Sequence, residues 1–291
     1  MINQLYDKTS KIAFSAYGDD FLRYFGEYKK IIRELGTEFY TLTGQHGRLD
    51  KLVLVEDDTL QNWEFEFKRL NKDSLKRFWR YNNDKSSQTG KILDSFVVSF
   101  ANPDECDETI EIGRSIIFAP IIKYLQRMGL HKKLNIIEKK VNSNKKISTM
   151  DELTLIFVTL SCDDKNKEKV LKRVCKVLKE IDYINDYRRT VIDSLIAFQI
   201  ENFVKSAKDK IELNKVVNMQ VSVEELIVQA ELEASYDQGF DEGKLEGKTE
   251  SMDEIIRNML SKSVDESIIC EYVGCDISYI NELKNNRIGS K

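Results

Sequence analysis

Arg48-Leu-Asp-Lys-Leu-Val-Leu-Val-Glu-Asp-Asp-Thr-Leu-Gln-Asn-Trp-Glu-Phe-Glu-Phe-Lys68 is the stretch on which the fold turns. It reads as a β-hairpin. Residues 49–55 are rich in Val and Leu, and Glu56, Asp57 and Asp58 make a polar turn. Residues 62–68 alternate aromatic and charged side chains. Strand side chains alternate faces, so Trp63, Phe65 and Phe67 share one face while Glu64, Glu66 and Lys68 share the other. Asp50 lies on the partner strand. Carboxylates and a lysine gathered on one face suit a divalent cation and a water to be activated. A half-buried hairpin with a merely solvated polar face shows the same alternation. The acid on the first strand and the basic segment behind the second tilt the reading towards chemistry.

That basic segment is the sharpest local charge in the chain. Residues 68–85 hold seven Lys or Arg against two Asp. A helix capped at Asp73 or Ser74 turns Leu75, Phe78 and Trp79 to the core and Lys72, Lys76, Arg77 and Arg80 outward, where they suit phosphate contacts. Net charge is −4 over 291 residues, so nucleic-acid binding has to come from such patches rather than from a global field. A second basic stretch runs through His131, Lys132, Lys133, Lys139, Lys140, Lys145 and Lys146.

Outward from the hairpin, residues 11–35 read as helical and Gly36 as their end, with Asp19, Asp20, Glu27, Glu34 and Glu38 as spare carboxylates. Residues 44–47 form a glycine-flanked loop containing His46. Residues 95–100 read as a third strand, residues 114–118 as a fourth, and residues 121–128 as the start of a helix after Pro120. Ser148 opens a buried helix with acids in its first turn, and residues 166–181 and 186–206 are amphipathic helices. Strands between about 48 and 120, flanked by helices, make an α/β core.

Residues 222–260 change character. Between residues 231 and 254 there are nine acids and two lysines, with Gly239, Gly243 and Gly247 every four residues. This reads as an exposed stalk or a self-association helix, and thus a route to a homo-oligomer. Residues 264–286 read as a short helix pair, too acidic for a DNA-reading unit. The chain therefore divides into a core over 1–150, a helical extension over 151–221 packing on it, the acidic helix over 222–260 and the helix pair over 261–291.

Several function classes recede. No apolar run approaches the roughly 20 residues of a spanning helix, and the N-terminus lacks a signal-peptide pattern, so no membrane partner and a cytoplasmic setting are expected. Five cysteines without a CxxC pair fit a reduced compartment. Two histidines leave little scope for a multi-histidine zinc site or histidine-based nucleophilic catalysis.

An acid, a strand turn and then Glu66-Phe67-Lys68 resembles the signature of the PD-(D/E)XK nucleases. The string Gly47-Arg-Leu-Asp-Lys-Leu-Val53, the basic helix ending in Arg80-Tyr81 and the glycine-spaced acidic tail resemble the recombination-promoting nuclease/transposase family within that superfamily. The resemblance implies a small mixed sheet flanked by helices, followed by a helical C-terminal region. It also implies Mg²⁺-dependent (or Mn²⁺-dependent) hydrolysis of DNA phosphodiester bonds, in recombination or transposition. Asp50 and Glu66 take the metal-ligand role, Lys68 that of the catalytic lysine, and Lys72, Lys76, Arg77 and Arg80 that of DNA contacts. Glu64 forms a competing Glu-x-Glu frame with Glu66 and reads as a supporting acid. A nuclease-like core without catalysis, binding DNA or a protein partner, is the alternative.

Overall fold

The computed structural model describes residues 2–40, 46–181 and 186–217, with isolated positions between 256 and 280. The chain divides into two compact units, Met1–Ala234 and Ser235–Lys291. Helix α1 (Ile2–Tyr17) opens the first unit and buries Leu5, Tyr6, Ile12, Ala13 and Phe14. A short α2 (Asp19–Tyr24) follows. The helix expected to run on to residue 35 stops here. Gly26 takes a left-handed φ of +78°, which ends the helix, and the Asp19 carboxylate accepts the Ile31 N–H at 2.8 Å. The apolar residues beyond it form an edge strand, β1 (Ile31–Leu35), because tertiary pairing overrides a helix-like spacing.

A small ribbon, β2 (Glu38–Tyr40) with β3 (His46–Arg48), holds His46 in a strand rather than in a loop. The expected hairpin is β4 (Lys51–Val55) and β5 (Leu60–Glu66), with Lys51 opposite Trp63 and Leu54 opposite Leu60. Helix α3 (Lys72–Thr89) is capped by Asn71, two residues before the expected start, and its side chain accepts the Ser74 N–H at 2.9 Å. Gly90, left-handed at φ +65°, closes it. α3 carries the chain across to β6 (Leu93–Ser99), which pairs parallel to β5.

Residues 110–118 form a second ribbon, β7 (Ile110–Ile112) with β8 (Ile116–Phe118), so the expected fourth strand lies outside the main sheet. The main sheet instead takes β9 (Ile121–Tyr124), where a helix was expected. Pro120 disfavours helical geometry just before it, and β9 pairs parallel to β6. The five strands lie in the order β1-β4-β5-β6-β9, antiparallel across β1, β4 and β5 and parallel from β5 to β9.

Helices α4 (Leu130–Asn142), α5 (Thr149–Val158), α6 (Asp164–Glu180), α7 (Asp186–Phe203) and α8 (Ala207–Asn214) complete the described part. Ser148 and Asp151 form a reciprocal capping box at α5. One sheet face, carrying Val53, Trp63, Phe65, Phe96 and Val98, shares a single apolar cluster with α1, α2 and α4 to α7. The other face packs Val97 against Leu75 and Phe78 of α3. The architecture is thus mixed α/β, a five-stranded mixed sheet with helices on both faces. The acidic helix and the terminal helix pair expected over 222–291 lie outside the described residues, isolated positions aside.

Candidate active site at the open end of the hairpin

The register of the hairpin decides which acids meet. Opposed residues on β4 and β5 sum to a constant, as in Lys51 with Trp63 and Leu52 with Asn62. One step further, Asp50 falls opposite Glu64. Glu66 lies two residues along, roughly 7 Å further at strand rise. Asp50 itself sits just before β4, and its Oδ2 accepts the Phe65 N–H at 2.9 Å, which pins the carboxylate across the hairpin.

Glu64 is almost fully buried at 5% exposure. Its Oε1 accepts from the Asn62 amide at 3.1 Å, and that amide also donates to Asn82 of α3 at 2.9 Å. Burial pushes the Glu64 acid well above the usual carboxylate range, and the negative charge of Asp50 pushes it further; the Asn62 bond, Arg77 and Lys11 oppose this. The Asp50 carboxylate therefore disfavours a second negative charge on Glu64.

A second pair comes from α1, which no hairpin motif could reveal. The Lys11 ammonium lies 2.7 Å from Asp50 Oδ1 and 2.8 Å from Asp7 Oδ1. Burial disfavours its charge, but Asp50 and Asp7 outweigh that and hold the Lys11 pKa above its ordinary value. The Asp7 acid is raised by burial first and by Asp50 second. The one signal available in sequence is Asp7 and Lys11 at i and i+4, beside the apolar positions Tyr6, Ile12 and Phe14.

Glu66 is brought to α3 rather than to Asp50. Its Oε2 accepts from Arg77 at 3.0 Å and its Oε1 from the Lys68 N–H at 3.2 Å. β5 ends at Glu66, so the exposed Lys68 lies beyond the alternating strand. Lys72, Lys76, Arg77 and Arg80 all stand exposed on α3. Trp79, expected in the core, is only half-buried; Asn82 takes the inward place next along the Leu75–Phe78 stripe.

Among the described residues no group of three or more His, Cys, Asp or Glu side chains converges to hold a metal. The Asp50–Glu64 pair nonetheless fits a hard dication, which binds one or two carboxylates and keeps several waters. The buried Glu64, costly to ionise beside another anion, is the kind of donor that such an ion compensates. Also among the described residues, no helix is long and apolar enough to cross a membrane. Comparison with protein-family models, with curated proteins and with solved structures gives no match to this chain.

Proposed function

We propose that this chain is a divalent-metal-dependent DNA endonuclease of the PD-(D/E)XK type. The observation that carries the reading is the Asp50 carboxylate pinned across the end of the hairpin, on the Phe65 N–H, beside the buried Glu64. A mixed sheet flanked by helices and a basic helix leading directly out of the same hairpin also support it. Asp50 and Glu64 would hold Mg²⁺ or Mn²⁺. When bound, the ion supplies Lewis acidity at the phosphate and lowers the pKa of a coordinated water.

The chain's own residues do the rest. Lys11 keeps positive charge at Asp50, where negative charge collects on the attacked phosphate. Arg77 fixes Glu66 and, with Lys72, Lys76 and Arg80, presents the positive face that receives a DNA backbone. Lys68, exposed past the strand end, contributes phosphate charge rather than water activation. Recombination or mobile-element processing is the setting that the family resemblance suggests.

Plasmid DNA incubated with protein and Mg²⁺ is expected to be nicked or linearised, and EDTA to stop this. Asp50→Ala and Glu64→Ala are each expected to lower the rate about 100-fold or more, the order seen when a transition-state partner is lost. Lys11→Met is expected to cost more than Lys68→Ala. Folded Asp50→Ala protein that cuts at the parental rate would sink the proposal. One observation favours a second reading, a non-catalytic DNA-binding protein. The Lys11 ammonium already bridges Asp7 and Asp50, as a structural ion pair would. That reading is the outcome if DNA binds in a salt-sensitive way and is never cut.

A further inference from the structure

A cleft of about 470 Å³ separates α3 from the β7–β8 ribbon, within the roughly 300–1,000 Å³ range of small-ligand sites. Lys76, Arg77, Trp79 and Arg80 form its helix wall, and Glu111 and Gly113 stand on the ribbon wall. The helix wall is basic. Asp73 lines it too, its side chain 91% exposed and 4.0 Å from Lys76. An indole left half-open among three cations on a polar helix is not explained by the core, which takes Leu75 and Phe78 from the same helix.

We propose that this cleft binds single-stranded DNA, with an unpaired base stacked on Trp79 and the flanking phosphates on Lys76, Arg77 and Arg80. The inference deepens the nuclease reading by naming its substrate class, and it rests on that reading for the identity of the polymer. A ring beside cations in one groove is the arrangement that binds strands without sequence preference, since every base offers a π-face. In a duplex those faces are covered by neighbouring bases, so a duplex can use the cations but not the ring. Glu111 repels phosphate from the ribbon wall, which leaves the helix wall as the backbone's track. Arg77 ties the cleft to the end of β5, because it lines the cleft and also holds Glu66, two residues past Glu64, at 3.0 Å.

The chain carries two tryptophans, and Trp63 is fully buried, so quenching by a stacked base reports Trp79. The 291-residue chain in EDTA would be titrated with an oligothymidylate of about 15 nucleotides, within the span of single-strand sites. Quenching is expected, with affinity about tenfold above that of a hairpin-closed duplex of equal length. Read by anisotropy of an end-labelled oligonucleotide, since the variant lacks the reporting indole, Trp79→Ala is expected to lose about tenfold for the single strand and little for the duplex, the order that one base–aromatic stack contributes. Trp79→Phe should restore most of the loss. Absent quenching, equal affinity for the duplex, or displacement of the strand by polyglutamate at equal charge would each overturn the inference. Plasmid cutting decides the nuclease reading separately. Cutting with unchanged strand binding by Trp79→Ala sinks only the cleft; quenching without any cutting leaves the cleft standing and sinks hydrolysis.

Discussion

Glu64 is an acid held where its anion is costly, and that makes its protonation part of the protein's stability. In the unfolded chain it ionises near its ordinary value of 4.5, and in the folded protein only at higher pH. Between those two values the folded state carries the extra proton, so stability falls as pH rises through the window. Asp7, also raised, acts in the same sense. Glu64→Gln cannot ionise, so its melting temperature is expected to exceed the parental one at pH 8 and to approach it near pH 4. The gain at pH 8 should be about 1–2 kcal/mol, the scale of a buried polar penalty. Mg²⁺ should stabilise the parental protein more at pH 8 than at pH 5, with a gain at pH 8 of about 2.7 kcal/mol at a hundredfold excess over its dissociation constant. Thermal melts at both pH values, with and without Mg²⁺, check both statements.

Part of this residue-level picture was legible beforehand. Alternation on the second strand put Glu64 and Glu66 on one face, and Asp50 stood out as the acid on the first. The choice between the two glutamates was not legible, because it depends on how many residues the turn consumes. Val55 is bonded to Thr59, so the turn takes up Glu56 to Asp58, and that length fixes Asp50 opposite Glu64. Lys11 and Asp7 were hidden for a different reason: only the docking of α1 on the sheet brings them to the hairpin, and no local pattern encodes that position.

At the scale of elements, α3 joins the candidate site to the basic surface. Its apolar stripe of Leu75 and Phe78 seats it on the sheet, while Lys72, Lys76, Arg77 and Arg80 stay in water. Each cation that meets a phosphate releases condensed counterions, so binding weakens with salt in proportion to their number. Replacing Lys76 and Arg80 together with Ala should lower the slope of log K against log salt by roughly 2 and leave the fold intact. Anisotropy titrations between low and moderate salt test this. The helix was legible from its stripe and charges. Strands β1 and β9 were not, since Ile31, Ile32 and Leu35, like Ile121 and Ile122, fit either period over so short a span, and pairing with β4 and β6 settled the matter.

Across the whole first unit, one apolar cluster ties the sheet to the helices that follow it in sequence. Phe21 lies at its centre, with ring centroids 5.0 Å from Phe14, 5.9 Å from Trp63 and 6.0 Å from both Phe65 and Phe157. Because these rings come from α1, β5 and α5, the sheet and the helices around it should not melt independently. Phe21→Ala is expected to cost about 3–5 kcal/mol and to shift one cooperative transition rather than split it. Calorimetry alongside near-ultraviolet dichroism would show whether the transitions stay coincident.

The edge strand β1 has a bearing on how the folded protein behaves among its own copies. Ile31 pairs with Val55 and Arg33 with Leu54, so Ile32 is an extra residue, a bulge that is 64% exposed. An unpaired strand edge is a template onto which another chain can add. Here the bulge breaks the even spacing of donors and acceptors, and Lys29, Lys30, Arg33 and Glu34 surround it with charge. The first unit thus carries a built-in guard against fibril growth through this edge, written in one surplus isoleucine.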